Sequence, residues 1–360
     1  MNQLDQNLRE RIARQGPISI AEYMAQALSH PQFGYYMGKD PLGVKGDFIT
    51  APEISQMFGE LIGAWAAVAW QLMGEPESLA LVELGPGRGT LMSDALRAAK
   101  TAPGFLKAVQ IHLVETSPAL AARQRQALAG HDANWHQDFE DVPPGPLIVI
   151  ANEFFDALPI QQFVLAEGGW RRRSVGIDNE THRLCFVLAD EPLDEAMEAR
   201  LGDGAIGDIR ETSPASITLM SAIARRLAQH RGYALIIDYG PAKSAPGDSL
   251  QAVKGHHRHQ VLDDPGEADI TAHVDFEALA TAAKVEGCHI SGPLTQGAFL
   301  GNLGIEARME RLADGADPAQ ARDIRSAYAR LTSAAAMGEL FKVLSVGGGD
   351  LPAPGFEAPS

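Results

Sequence analysis

Residues 82–96, "VELGPGRGTLMSDAL", decide how this chain folds. The run "LALVEL" (79–84) that leads into them is almost wholly apolar, the pattern of a strand buried on both faces. Beyond the turn, Leu91, Ala95, Leu96 and Ala99 recur at helical spacing. Gly85, Gly87 and Gly89 fill the corner between. A strand, a glycine turn and a helix start form a corner suited to anions or nucleotides, because the free N–H groups of a helix N-terminus attract acceptors. The order is E-x-G-x-G-x-G from Glu83. It differs from the G-x-G-x-x-G of dinucleotide folds, and no Lys-Ser/Thr follows to hold a triphosphate. The glycines alone do not name a ligand, since a tight turn that binds nothing has the same requirement.

The chain has 360 residues, 45% of them apolar, enough for one large α/β domain with additions or for two domains. A formal charge of −16 argues against nucleic acid or an anionic membrane as partner and is compatible with a cationic substrate. Cys185 and Cys288 lie far apart, which indicates neither a disulfide framework nor a thiolate metal site. The opening "MNQLDQNLRERIARQ" carries acids and no apolar signal core, and no apolar run reaches membrane-spanning length. These features predict a cytoplasmic enzyme without membrane insertion. Oligomeric state is not legible.

The first seventy-odd residues read as helical. Ser19 and Glu22 suggest a capping box, with Ile18 placed to pack on Tyr23. Thr50 and Glu53 suggest a second box before a helix whose apolar stripe is Ile54, Met57, Phe58, Leu61, Trp65, Val68 and Leu72, ended by Gly74. Strands and helices then alternate: strand 79–84, helix 90–99, strand 109–115, a helix capped by Ser117 and Pro118, strand 134–139 and strand 145–154. This order implies a parallel sheet with right-handed crossovers. The rhythm breaks at about 160–190, where "QQFVLAEGGWRRRSVGI" and "RLCFVLA" suggest an antiparallel hairpin insertion turning at Gly168-Gly169. Further on, the pattern predicts a helix from about 216, strand 232–240, a polar histidine loop (254–270) and helix 276–286. A strand near 288–291, helices 303–313 and 318–331, and a last strand 339–347 complete the pattern. The expected organisation is an N-terminal helical and lid region (1–76), a main domain (77–347) and a disordered tail (348–360).

Acids and aromatics stand at the expected strand tips. Glu115 ends the second strand, where an acid can hold both hydroxyls of a ribose. Asp138-Phe139 ends the third and suits an adenine, the carboxylate accepting from the exocyclic amine. The fourth tip reads "NEFFDALP" (152–159). In this joint order the chain resembles a class I S-adenosylmethionine (SAM) methyltransferase, with a Rossmann-like, mostly parallel sheet, an N-terminal helical extension, the hairpin insertion and C-terminal helical additions. The segments "GDFITAPEISQMFGELIGAW", "VELGPGRGTLMSD", "VETSP", "NEFFDALPIQQF", "LIIDYG", "GEADITAHVDF" and "MGELFKVL" are similar to those of the MidA family over about residues 17–346. That family comprises mitochondrial complex I assembly proteins and bacterial relatives. The resemblance implies SAM as cofactor, protein arginine N-methylation as activity and a respiratory complex I subunit as protein substrate.

The expected cofactor contacts are Glu83, Gly85, Gly87, Gly89, Glu115, Asp138, Phe139 and Asn152. Glu153 and Asp156, three apart beyond the fourth strand, are the expected catalytic pair, because a carboxylate pair can grip a guanidinium in a bidentate fork. The alternative reading is that Asp156 caps a turn before Pro159 and that Glu153 is merely exposed. The segment with Asp47, Phe48, Thr50 and Glu53 would form a lid, and Tyr35 and Tyr36 could line an acceptor channel. Asp238 or His273 could act as a base, although the proton can also leave after transfer. "HHRH" (256–259), with Asp263, Asp264, Asp269 and His273 nearby, matches no specific metal spacing, and no metal is expected. "WRRRS" (170–174) reads as a solvated hairpin tip. A small-molecule methyltransferase and a non-catalytic SAM-binding assembly chaperone are the rival readings. A dinucleotide oxidoreductase is disfavoured by the glycine spacing, though Glu115 would suit it.

Overall fold

Leu79–Leu84 is a strand (β1) with every residue buried, as its apolar run requires. The computed structural model describes residues 2–38 and 50–356. Six more strands join β1 in one sheet: β2 (Val109–Val114), β3 (Ala133–His136), β4 (Leu147–Asn152), β5 (Gly232–Tyr239), β6 (His289–Thr295) and β7 (Phe341–Gly347). Their order is β6-β7-β5-β4-β1-β2-β3. The pairs from β5 through β4, β1 and β2 to β3 are parallel, and β7 runs antiparallel to both β5 and β6. A mostly parallel sheet is covered on both faces, and successive side chains must point to opposite ones. Leu81, Ile111, Ile148, Ile150, Leu235 and Val343 join one core with helices Gln56–Leu72 and Thr90–Ala98. Val82, Val149, Ala151, Ile236 and Leu344 join the other, with helices Pro214–His230 and Phe276–Val285.

Helix Gln56–Leu72 lies very close to Thr90–Ala98. A Cβ on Gly63 would meet the Cα of Ala95 at 2.5 Å, so only glycine permits this approach. The predicted box at Thr50 and Glu53 does not form. A short helix Ala51–Ile54 ends at the extended Ser55, whose side chain caps the longer helix through Met57 N at 3.2 Å. Val68 and Leu72, expected in the stripe, face outward, because the sheet takes up the other side of the helix. At Ser19 half of the expected box forms: its hydroxyl accepts from Glu22 N at 3.1 Å, while the Glu22 carboxylate pairs with Arg11.

The insertion is larger than a hairpin. Gln161–Ala166 and Gly169–Ile177 pair about the expected glycine turn and are joined by Leu184–Leu188, Ile209–Thr212 and the N-terminal Ile18–Ser19. "WRRRS" lies inside its second strand and not at a tip: Trp170 and Ser174 are buried, and Arg173 stacks over Phe186 while bonding Asp248. The expected histidine loop is a three-stranded sheet of Gln251–Lys254, His257–His259 and Asp269–Thr271. Helices Gln3–Gln15 and Ile20–Ser29 share a third core with these two small sheets, so the N-terminal region serves two cores. Helices Glu195–Leu201 and Gln296–Asn302 were not legible in the sequence. The tail, expected to be disordered, packs through Phe356: Ala353 is buried, Phe356 meets Phe299, and Pro352 O and Pro354 O accept from Tyr233 and Trp65.

Candidate active site

The four strand tips meet at one cavity of about 400 Å³, lined by every expected cofactor contact except Gly89. Gly85 and Gly87 have φ of +59° and +55°, the left-handed region that other residues rarely adopt. A Cβ on Gly85 would lie 2.7 Å from the Phe154 ring. Gly89 instead caps helix Thr90–Ala98 and packs against Gln124 and Ala127, so its role is the turn itself.

Glu115 is not free to serve only a ligand. Its Oε1 accepts from Ser117 N at 2.7 Å, its Oε2 from Gln124 Nε2 at 2.9 Å, and burial pushes its carboxyl up. Fully buried Gln124 also donates to Gly87 O at 2.8 Å and accepts from Trp135 Nε1 at 2.9 Å. It therefore ties the glycine turn to the acid of β2 and to β3. Nothing in the sequence singled it out, because one glutamine on a polar helix carries no pattern. Changing Gln124 to Leu leaves buried groups unpaired, each worth roughly 1–3 kcal/mol. Urea unfolding is expected to show a loss on that scale, and unchanged stability would contradict this bracing role.

Asp138 lies exposed at the rim, and buried Phe139 lies under Arg226, whose guanidinium carbon is 4.9 Å from the ring. Glu83, 3% exposed, has one oxygen buried without a partner, and burial pushes it up to about 8. Asn152 Oδ1 is likewise buried and unpartnered. Glu53 bonds the Thr90 hydroxyl and pairs with Arg88 at 3.5 Å, which fastens the described end of the expected lid to the glycine corner. Asp47, Phe48 and the rest of 39–49 lie outside the described residues.

Glu153 has φ +49°, a strained conformation held by Glu153 N donating to Ile237 O at 2.9 Å. Its Oε1 accepts from Ala51 N at 3.0 Å and Asn152 Nδ2 at 3.3 Å, and burial pushes it up to about 7. Asp156 is buried in the turn Phe155–Ala157 with Oδ1 unpartnered, and burial pushes it up to about 6. The loop's anchor is Asp238, which the sequence offered as a base. Its Oδ2 accepts from Phe154, Phe155 and Asp156 N at 3.2, 3.0 and 3.2 Å, and Oδ1 from Tyr239 N at 2.9 Å. Burial and the Asp156 and Glu153 carboxylates push it up against these four donors. A group so enclosed cannot exchange a proton with an acceptor, so the base assignment is corrected to a structural one. His273 lines a different cavity and meets Tyr239 edge-on, which removes it too as a base here. Of the tyrosine pair, Tyr36 lines the site and Tyr35 is packed in the third core.

A family model described as "Putative S-adenosyl-L-methionine-dependent methyltransferase" matches residues 61–294. The Danio rerio mitochondrial protein arginine methyltransferase NDUFAF7 is 41% identical, over 94% of this chain and 86% of that protein. Its Homo sapiens counterpart is 37% identical, with 94% and 82% covered. A Burkholderia thailandensis protein crystallised with bound S-adenosyl-homocysteine has a TM-score of 0.84 at 29% identity, covering 99% of this chain and 92% of that one. The relatives are named as mitochondrial proteins, which overturns the cytoplasmic location expected from the opening residues. Among the described residues no helix is long and apolar enough to cross a membrane. By the family match and by these identities over most of its length, this chain belongs to the S-adenosyl-L-methionine-dependent methyltransferase family, together with the NDUFAF7 protein arginine methyltransferases.

Proposed function

We propose that this chain methylates an arginine of a protein, a subunit of respiratory complex I, in the cavity at the strand tips. The observation that carries this reading is the acidic wall beside the cofactor corner. Glu153 and Asp156 line it, Asp156 keeps a buried oxygen unpartnered, and Arg88 is the only basic side chain among the described lining residues. Such a wall favours a cationic acceptor over a neutral small molecule. The names of the relatives support arginine.

The residues present fit SAM. Gly85 and Gly87 bring backbone close, Glu83 and Asn152 offer buried oxygens without partners, and Glu115 and Asp138 stand at the second and third tips. When bound, the cofactor supplies an activated methyl group. The protein's share is alignment and electrostatics. Glu153 and Asp156 hold the guanidinium, draw its charge away from the attacking nitrogen and orient that nitrogen for in-line attack.

Glu83 gives this reading a pH signature. Its carboxyl is neutral below about 8 in the free protein, and a cationic group beside it favours the anion. Cofactor binding therefore releases a proton at neutral pH, and affinity rises with pH until about 8 and then levels. In the same window the free protein loses stability as pH rises, because the folded form holds the proton more tightly than the unfolded one. Titration calorimetry in buffers of different ionisation enthalpy reads the released proton. Glu83→Gln should flatten the part of the slope between about 7 and 8, above the range of Glu153 and Asp156, and a slope unchanged in that variant would remove Glu83 from the cofactor site. The function is tested by intact-mass comparison of complex I subunits from cells with and without this chain. A subunit lighter by whole methyl groups without it is expected, and identical masses would refute the assignment.

A further inference from the structure

Tyr36 and Asp269 also line the cavity, on elements that belong to neither the cofactor sheet nor its helices. Tyr36 comes from the short helix Tyr35–Gly38, Asp269 from the three-stranded sheet. The Tyr36 hydroxyl donates to Asp269 Oδ1 at 2.8 Å. Tyr36 is also fixed at its backbone, where its carbonyl accepts from Ser117 Oγ at 2.6 Å, and its ring meets Tyr35 edge-on at 5.1 Å. Ser117 is the residue whose N–H is held by Glu115. Asp269 is 8% exposed, and its segment is fastened once to the loop that carries Asp156 and once to the end of β5. Ala272 N donates to Asp156 O at 3.0 Å, and the Tyr239 hydroxyl at the end of β5 donates to Thr271 Oγ1 at 2.6 Å. Burial and the carboxylates of Asp269 and Asp156 hold the Tyr36 hydroxyl in its protonated, donating form.

The two small sheets and the N-terminal helices share one core, so this wall is built on packing separate from that of the cofactor sheet while being fastened to Asp156. A buried acid whose one oxygen is fixed by a tyrosine has its direction set in advance, which favours a planar, multi-donor cation over a point charge. We propose that Asp269, oriented by Tyr36, is the specificity-determining carboxylate of the acceptor side, selecting a guanidinium and leaving cofactor binding to the glycine corner. The inference rests on the reading of the acceptor as an arginine.

The test uses the purified full chain saturated with S-adenosylhomocysteine and titrated with N-acetyl-argininamide, then with N-acetyl-lysinamide. The parent should bind the arginine probe more tightly. Tyr36→Phe and Asp269→Asn should each weaken it about tenfold, the scale of one charge-assisted hydrogen bond, and bring it level with the lysine probe. S-adenosylhomocysteine affinity should stay within about twofold, a split that a general loss of structure would not give. Tyr36→Phe added to Asp269→Asn should change little more, since both act on one contact. Parent-like binding of the arginine probe by both variants overturns this inference and leaves the arginine reading intact. A parent that does not distinguish the two probes overturns both.

Discussion

Glu153→Gln should slow methyl transfer about a hundredfold or more while cofactor affinity changes only a few-fold, the scale of one preorganised electrostatic contact. The substitution is chosen for what it keeps. Glu153 Oε1 accepts from Ala51 N and from Asn152 Nδ2, and a glutamine oxygen can still take both. Shape and loop anchoring survive, and the charge that must strengthen its hold on the guanidinium toward the transition state is lost. Single-turnover measurement at saturating cofactor separates this from binding. A full rate in the variant would remove Glu153 from the chemistry and leave Asp156 and Asp269 to hold the acceptor.

Asp238→Ala should be the most damaging change to the fold near the site. One carboxyl group there takes four backbone N–H groups, and a buried N–H left without its partner costs roughly 1–3 kcal/mol, though not additively. A loss of at least about 3 kcal/mol in urea unfolding is expected, with turnover reduced further because Glu153 and Asp156 lose their frame. The left-handed backbone at Glu153 makes the loop especially dependent on this anchor. Stability close to the parent's would mean that the loop is held by its own packing.

Much of this was legible. The run 79–84, the glycine corner and the acids at the strand tips follow from local rules: buried strands are apolar, tight turns need glycine, and ligands of open α/β sheets sit at the carboxyl ends of strands. Several of the misreadings come from pairing at long range. "WRRRS" looked like a tip because its charges are visible in sequence, whereas the partners that absorb them, Asp248 and the Phe186 ring, lie far along the chain. The histidine segment looked like a loop because its strands are short and polar. Asp238 stood out as an acid in a buried strand, but the three N–H groups of residues 154–156 that occupy it become visible only once β4 and β5 lie side by side. Asp269 was noticed only among the residues around the histidines, for its place beside Tyr36 depends on two peripheral elements meeting.

The decisive event is the placing of a methyl group on an arginine nitrogen of a protein. Its most direct test is incubation of the purified chain with SAM carrying a deuterated methyl group and complex I isolated from cells lacking the chain, followed by fragment-ion mass spectrometry. Label is expected on a guanidinium nitrogen of one subunit, present with the parent and nearly absent with Glu153→Gln. Label on another kind of side chain, or equal label with both proteins, would contradict it.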